Sequence, residues 1–357
     1  MSQAFRYVIS INDKHRVDGV LSCQEYFNVE VSKDARSMGD AVSESAGAMH
    51  ADKSNPAILR VGGGAVGFNW LPVIAAERQG MFARSNLAIE IKRLGAVDKA
   101  TAAVKNGELD LVITPPEGAI RDCVNGGNLR IIAGNVNRLP LSLIANPRIR
   151  RIEDLRGARL GTSSLTEGTA LYTMEVLRQH GLHYPADYQF SVVGVHPARW
   201  KALQEGTIDA AVQLIPLNFV AEDDGYANLG EVTDYIPQIV FTAFIVDHVA
   251  ARTRRKHIIE FLRGVMEGTR WVHDPANDES LLALTKELTQ AEGKYGRQAL
   301  DYMRVKNVFS ADLSIPDAAF AKSIELMQKA GLADEQLMAN ARGVLDDSYR
   351  LAALKLT

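Results

Sequence analysis

One short pattern occurs twice in this chain. Asn106–Pro116 has the sequence NGELDLVITPP, and Glu205–Pro216 has the sequence EGTIDAAVQLIP. Each copy is typical of a helix that ends at a glycine, a strand too continuously apolar to have a face in water, and a proline that ends the strand. The repeat therefore predicts two α/β lobes of similar construction. Because open α/β sheets bind ligands at the carboxyl ends of their strands, we expect a ligand between the lobes.

The composition is that of an ordinary globular protein. The chain has 357 residues, of which 46% are hydrophobic and 23% charged, with a net charge of −3. It is long enough for about two or three domains, and its charge gives no electrostatic reason to expect a nucleic-acid partner. The two cysteines, Cys23 and Cys123, lack the spacing of a metal site. The sequence therefore predicts no metal, no cofactor and no disulfide framework.

The beginning of the chain bears on its location. Residues 1–20 carry several charged side chains and no apolar run of the length that a secretory signal requires. No later window is long and apolar enough to predict a membrane span. The sequence as written therefore predicts a cytoplasmic protein, and a periplasmic one if a leader was lost or the start is misassigned.

The order of predicted strands and helices divides the chain into three parts. Residues 1–56 contain two short strand patterns and a polar stretch, which predict an N-terminal hairpin or arm with a tether, or a partly disordered extension. From residue 57 strands and helices alternate, as in α/β folds. We predict a first lobe from residues 57–146 and 239–357, which includes a helical C-terminal pack, and a second lobe from residues 147–238. The strand at 141–145 is expected to lead out of the first lobe.

The glycine-rich loop at residues 62–70 is the first candidate for a binding site. Its sequence GGGAVGFNW lets a ligand approach the backbone closely, and a helix follows it. The glycines also fit the spacing of a dinucleotide fingerprint, but bulky residues follow them and Glu90 lies inside an alternating strand, which disfavours nucleotide binding. The predicted ligand contacts of this loop are Gly67, Phe68, Asn69 and Trp70.

Two further candidate regions follow predicted strands. Residues 162–169 place several hydroxyl groups at the start of a helix, where free N–H groups favour an anion. Ser163, Ser164 and Thr166 either contact the ligand or only cap the helix. The ends of the repeated strands supply Thr114 and Pro115 from the first copy and Gln213 from the second. There the alternative is that the prolines only end the strands.

The sequence offers little for catalysis. A nucleophile needs a neighbouring base, and a metal needs clustered ligands, but no such cluster is apparent. His196 precedes Pro197 in a segment expected to face the cleft, and is the one residue that we name as a candidate acid or base. No partner for it can be assigned from the sequence.

Several segments resemble the periplasmic-binding-protein type II fold, in particular the nitrate/sulfonate/taurine group that includes thiamine-pyrimidine-precursor proteins. The segments that carry this resemblance are Gly67–Phe82, Asn106–Ile113, Ile152–Gly161, Glu205–Val212 and the helix around Phe261. The resemblance implies a two-lobed α/β fold that closes on a small anionic or heterocyclic solute and delivers it to an ABC importer. It also implies that residues 68–70, 114–116 and 163–166 line the cleft.

We consider two functional hypotheses, which belong to different classes of protein. The first is a solute-binding protein, or a cytosolic derivative, that binds a small anionic organic solute such as a sulfonate or aromatic carboxylate, with an ABC permease as partner. The second is a cytosolic lyase or hydrolase, desulfinase- or decarboxylase-like, that acts on an aromatic or sulfur-containing acid. The related desulfinase uses a cysteine in the loop after the first strand, and residues 62–70 contain none. A homodimer through the N-terminal arm is a further expectation.

Overall fold

The computed structural model describes residues 55–357, apart from the side chains of residues 336 and 337. The predicted N-terminal arm and any dimer formed through it therefore lie outside the described residues, except for residues 55 and 56. The strands are β1 Ala57–Gly63, β2 Leu87–Arg93, β3 Leu111–Thr114, β4 Leu129–Val136, β5 Leu141–Ala145, β6 Arg159–Thr162, β7 Gln189–Val192, β8 Ala210–Leu214, β9 Ala227–Glu231 and β10 Thr242–Asp247.

The α-helices of the described part connect these strands and then form the C-terminal end of the chain. They are α1 Leu71–Arg78, α2 Val97–Lys105, α3 Glu117–Val124, α4 Thr169–Gln179, α5 His196–Gln204, α6 Leu217–Asp223, α7 Val232–Tyr235, α8 His248–Thr253, α9 Arg255–His273, α10 Asp278–Thr289, α11 Gly293–Lys306, α12 Asp317–Lys329, α13 Glu335–Met338 and α14 Ser348–Leu354. None of the helices in residues 55–357 is both long and apolar enough to cross a membrane.

The strands form two mixed five-stranded sheets with the same arrangement. The first has the order β2-β1-β3-β10-β4, and the second has the order β7-β6-β8-β5-β9. In each sheet the first three strands are parallel and the fourth, β10 or β5, runs antiparallel to its neighbours. The α/β fold class predicted from the sequence is confirmed, with one antiparallel strand added to each sheet.

The position of β5 differs from our expectation that it leads out of the first lobe. Leu141–Ala145 is hydrogen-bonded between β8 and β9, so it is a central strand of the second sheet. All five of its residues are buried, and the helices α6 and α7 pack against this strand. The lobe boundaries themselves stay a prediction.

The repeated sequence pattern corresponds to a repeated set of ion pairs. In the first copy the Asp110 carboxylate accepts hydrogen bonds from the Arg60 backbone N–H at 2.8 Å and from Arg60 Nη2 at 3.0 Å. In the second copy Asp209 accepts from the Arg159 backbone N–H at 2.8 Å and from Arg148 Nη2 at 2.6 Å. Each aspartate thus links the start of its own strand, β3 or β8, to the neighbouring strand, β1 or β6. This shared role accounts for the aspartate that both copies of the pattern contain.

The C-terminal helices pack against the first sheet. In one cluster Phe320 and Met327 of α12 lie with Val112 of β3, Ile131 of β4 and Ile245 of β10. The helix α9 packs along α1, and Phe261 stacks on Phe82 with the ring centroids 5.2 Å apart. The sheets and helices thereby bring the loops that follow β1, β3, β6 and β8 into one region.

Candidate functional site

A small cavity lies where the carboxyl ends of the parallel strands of both sheets meet. Its walls come from the segments after β1, β3 and β6, the end of β8, the start of β10, and the first turns of α2, α4 and α5. The cavity volume is about 60 Å³, whereas a single water needs roughly 10–15 Å³ on the same scale. The cavity therefore has room for a small molecule.

The lining of the cavity combines a group of polar side chains with an apolar wall. The polar side chains are those of Asn69, Thr114, Ser163, Thr169, His196, Arg199 and Thr242. The apolar wall consists of Val97, Ile113, Pro115, Val195, Leu214 and Phe241. Mostly apolar pockets with a few polar groups are typical of sites that orient a small organic ligand.

Arg199 is the charged residue of this lining. Its side chain is only 3% exposed. Nε donates to the Val212 carbonyl oxygen at 3.0 Å and Nη1 donates to the Gly194 carbonyl oxygen at 3.2 Å. Within residues 55–357 no carboxylate forms an ion pair with Arg199, and its Nη2 has no hydrogen-bond acceptor. Burial lowers the pKa of the guanidinium to about 9, so the group stays charged at neutral pH.

His196 lies three positions before Arg199, at the start of α5. Removal from water, and then the charge of Arg199, lower the pKa of the imidazole to about 3, so His196 is neutral at physiological pH. Its ring lies against Gly67, where a Cβ atom would come within 2.7 Å of Nε2. Gly67 therefore contributes space for His196. Among the described residues no hydroxyl or thiol forms a hydrogen bond with the imidazole.

The positive ends of two helices meet at the cavity. The helix α4 begins at Thr169 and α5 begins at His196, and both residues line the cavity. The first N–H groups of a helix lack partners within the helix, and the helix dipole places partial positive charge there. Together with Arg199 these two helix ends give the cavity an electrostatic preference for an anion.

Four of the residues predicted as ligand contacts line this cavity: Asn69, Thr114, Pro115 and Ser163. Asn69 is held from the first sheet, because its backbone carbonyl accepts a hydrogen bond from Asn135 Nδ2 at 2.9 Å. Ser163 is 3% exposed and forms no side-chain hydrogen bond within residues 55–357. Its hydroxyl is therefore available to a ligand, and ligand contact by these four residues stays a prediction.

Phe68 and Trp70 were predicted as ligand contacts, but the structure places both in the hydrophobic core. Each is 0% exposed, and neither lines the cavity. Phe68 stacks on Phe309 with the ring centroids 6.1 Å apart. The Trp70 ring lies over Gly63, where a Cβ atom would approach it to 2.7 Å. The apolar character of these rings makes burial behind the loop more favourable than a place in a polar cavity.

Gln213 was also predicted as a ligand contact, and the structure gives it a different place. It is 0% exposed and does not line the cavity. We assign the orientation of the Gln213 side-chain amide in which its nitrogen and its oxygen both form hydrogen bonds. In this orientation the nitrogen donates to the His196 carbonyl and the oxygen accepts from the Trp200 N–H, both at 3.2 Å. Gln213 therefore holds the first turn of α5, from which His196 and Arg199 reach the cavity.

Ser164 and Thr166 lie beside the cavity and do not line it. Ser164 Oγ accepts the Thr166 N–H at 3.2 Å, and the Ser164 carbonyl accepts the Thr162 hydroxyl at 2.9 Å. These hydrogen bonds shape the loop between β6 and α4. The sequence left open ligand contact or capping of the helix; neither side chain caps α4, whose N-cap is Gly168, and ligand contact by these two residues stays a prediction.

The sequence did not identify Arg199 or Thr169 as parts of the site. Arg199 lies in a predicted helix, and an arginine in a helix is normally exposed. A signal was nevertheless present, because Arg199 follows His196 by three residues and so lies on the same helix face. Thr169 belongs to the hydroxyl-rich segment at residues 162–169, but we did not name it as a ligand contact.

The comparisons with known proteins agree with this geometry. The family model described as NMT1/THI5 like matches residues 67–277, more than half of the chain. The chain belongs to the NMT1/THI5-like family. The matched residues of this NMT1/THI5-like protein include the second sheet, the first sheet apart from β1, and every polar group of the cavity named above. No curated protein matches the chain.

Solved structures resemble this NMT1/THI5-like protein in fold. A ligand-binding component of an ABC-type import system from Staphylococcus aureus is 13% identical, with a TM-score of 0.69 over 83% of this chain and 99% of the other. A Candida albicans protein described as having the generic periplasmic binding protein fold is 14% identical, with a TM-score of 0.67 over 81% and 96%. The alkanesulfonate-binding protein SsuA from Xanthomonas axonopodis, bound to MOPS, is 15% identical, with a TM-score of 0.61 over 84% and 98%. The periplasmic-binding-protein fold is therefore shown.

Proposed function

We propose that this protein binds a small organic anion in the cavity between its two sheets and serves as the solute-binding component of an ABC importer. The observation that carries the proposal is Arg199, a buried cation that lines the cavity without a carboxylate partner. A buried charge is costly unless it is paired. An anion in the cavity would neutralise the guanidinium and accept a hydrogen bond from Nη2.

The lining also limits the charge of the solute. It offers one cationic side chain and two helix N-termini, and none of its described residues is an aspartate or glutamate. A solute with an ammonium group would find no counter-charge there. The apolar wall around Phe241 and Leu214 suits a small hydrocarbon body. These features favour a singly charged sulfonate or carboxylate with a short apolar part.

The transporter partner rests on the relatives. The Staphylococcus aureus protein is a component of an ABC-type import system, and SsuA binds alkanesulfonates. By analogy, the permease of an ABC importer is the partner that we propose, with the periplasm or the outer face of the membrane as the place of action.

The test is solute binding by the full-length protein and two matched variants of α5. Calorimetry and thermal shift with methanesulfonate, butanesulfonate, benzoate, nitrate and taurine would be followed by mass spectrometry of each solute. We expect a simple sulfonate or carboxylate to bind and to be recovered unchanged. Arg199→Gln should weaken its binding by about a hundredfold or more, as expected for loss of a hydrogen-bonded buried charge.

Lys201→Gln is the control, because Lys201 lies on the same helix but is exposed, and within residues 55–357 its ion-pair partner is Glu205 at 3.7 Å. Its affinity should match that of the unchanged protein. Equal affinity in Arg199→Gln and Lys201→Gln would refute the proposed role of Arg199. Conversion of a bound acid to a product would instead establish the lyase or hydrolase hypothesis, with His196 as the first residue to change.

A further inference from the structure

The ligand cavity has two unlike sides. The segments of the second sheet supply the cation Arg199 and the helix starts at Thr169 and His196. The segments of the first sheet supply Asn69, from the turn after β1, and Thr242, at the start of β10. None of the described residues with which this first-sheet side lines the cavity is charged. A solute in the cavity therefore meets a cationic side and a neutral side.

The side-chain amide of Asn69 has no hydrogen-bond partner within residues 55–357. The residue is only 7% exposed, and it lines the cavity. Its backbone carbonyl is occupied, because it accepts the hydrogen bond from Asn135 Nδ2. A buried polar group without a hydrogen bond costs about 1–3 kcal/mol. The amide therefore lacks a partner that a molecule in the cavity is able to supply.

The Thr242 hydroxyl is held by Asn135, which also holds the backbone of Asn69. Asn135 is 1% exposed, and its Nδ2 donates to the Asn69 carbonyl at 2.9 Å and to Thr242 Oγ1 at 3.0 Å. A backbone carbonyl only accepts, so the Asn135 atom between the two partners is the amide nitrogen. Thr242 Oγ1 therefore accepts this hydrogen bond, and within residues 55–357 its own proton has no acceptor. The Thr242 hydroxyl is left as a free donor at the cavity.

These free groups match an alcohol better than other polar groups. An alcohol hydroxyl has one proton and two lone pairs, so it donates to the Asn69 amide oxygen while it accepts from Thr242. A ketone or ether oxygen only accepts, which would leave the amide oxygen unpaired. A carboxamide also donates and accepts, but it is bulkier than a hydroxyl in a cavity of only about 60 Å³. An ammonium group would find no carboxylate among the described lining residues.

We propose that the solute of this cavity carries an alcohol hydroxyl group in addition to its single negative charge. The anionic group binds Arg199, the hydroxyl binds Asn69 and Thr242, and the apolar wall with Val97 and Phe241 contacts the carbon atoms between them. The chemical class is that of short hydroxyalkyl sulfonates and hydroxy acids. The inference rests on the proposed function for the anionic group, and adds the group that distinguishes this solute from a simple alkyl anion.

The test compares two solutes that differ only in the hydroxyl group. 2-Hydroxyethanesulfonate and ethanesulfonate have the same charge and the same carbon chain, and calorimetry with the full-length protein gives the Kd of each. We expect the hydroxylated sulfonate to bind about tenfold more tightly or more, the factor that one well-placed hydrogen bond contributes. 3-Hydroxypropanoate and propanoate form the matching pair of carboxylates.

Thr242→Val tests the origin of this preference. Valine has nearly the shape of threonine without the hydroxyl, so the two sulfonates should then bind with similar affinity. Thr242→Ser keeps the hydroxyl and should keep the preference. The control is Thr269→Val, because Thr269 of α9 is also buried, does not line the cavity, and donates to the Val265 carbonyl at 2.9 Å. Its preference should match that of the unchanged protein.

Arg199→Gln separates the two ends of the solute. It should weaken the binding of both sulfonates by the same factor and leave the ratio of their affinities unchanged. A large change in this ratio would overturn the inference, because the anion and the hydroxyl would then not bind at separate places.

The remaining outcomes distinguish the inference from the proposed function. Equal affinity of the two sulfonates for the unchanged protein would overturn the inference alone, since Asn69 and Thr242 would then bind only water. This comparison needs no variant, so it decides even if Thr242→Val does not fold. A preference that persists in Thr242→Val, or tighter binding of taurine than of 2-hydroxyethanesulfonate, would overturn it as well. If no sulfonate or carboxylate binds, the proposed function is refuted and the inference fails with it.

Discussion

Glu117 allows a stability measurement whose pH dependence follows from its surroundings. The carboxyl group is buried beside Glu167 and Arg121, and faces Tyr172 on α4. Burial raises its pKa from 4.5 to about 8. The perturbation is Glu117→Gln, because a glutamine has nearly the same shape, stays neutral at every pH and still accepts a hydrogen bond from the Gly168 N–H.

The sign of the effect follows from proton binding. Between pH 4.5 and about pH 8 the folded protein keeps the Glu117 proton, whereas the unfolded chain releases it. The folded state therefore binds more protons, and raising the pH through this window lowers the free energy of unfolding. Each pH unit corresponds to about 1.4 kcal/mol, so the full window amounts to about 5 kcal/mol relative to the glutamine variant.

The assay is urea unfolding of both proteins at several values from about pH 5 to about pH 9. The quantity of interest is the free energy of unfolding of the unchanged protein minus that of Glu117→Gln. Glu167 is present in both proteins, so most of its titration cancels in this difference. We expect the difference to fall steadily with rising pH and to level off above about pH 8. Parallel curves for the two proteins would refute the argument, since they would mean that Glu117 is ionised in the folded state at every pH tested.

Four other variants test three separate features. Asp110→Asn and Asp209→Asn should each lower the free energy of unfolding by about 1 kcal/mol, because each weakens the hydrogen bonds of a largely buried carboxylate to arginine side chains that are exposed to water; lost solute binding at an unchanged melting temperature would contradict this. Trp70→Ala should lower the free energy of unfolding by about 3–5 kcal/mol, because it truncates a core side chain, and urea unfolding measures this change. Weaker solute binding at unchanged stability would instead indicate that Trp70 contacts the solute. Gln213→Ala should weaken anion binding about tenfold through Arg199, as measured by calorimetry, and unchanged affinity would show that α5 holds its position without it.

Local patterns predicted the fold well where each element is determined by its own residues. The continuous apolar runs of β3 and β8 indicated buried strands, and the structure buries every residue of both. Within the predicted helical C-terminal pack, the chain is not helical throughout, because a tertiary contact lies between α13 and α14. Leu345 pairs with Ile131 as an isolated bridge, and the Asp346 N–H donates to the Ile131 carbonyl at 2.9 Å, which interrupts the helix. A contact over such a sequence distance leaves no trace in local periodicity.

The site was predictable to the extent that strand ends determine it. The rule that ligands bind at carboxyl strand ends directed attention to the segments that hold Asn69, Thr114 and Ser163. The rule says nothing about which side chains of a helix turn inward, so Arg199 was missed. It also does not separate a loop residue that lines a cavity from one that supports it, such as Trp70. Those distinctions depend on packing between segments far apart in the sequence.

The strand order has a consequence for synthesis of the chain on the ribosome. All strands of the second sheet come from one continuous stretch, Leu141–Glu231, whereas the first sheet needs β10 to join β3 to β4. A nascent chain that has emerged only as far as Glu231 possesses every strand of the second sheet, while β4 still lacks its neighbour. Domains fold as units once their residues are available. We therefore expect the second sheet to form before the first sheet, which becomes complete only after Thr242–Asp247 has been synthesised.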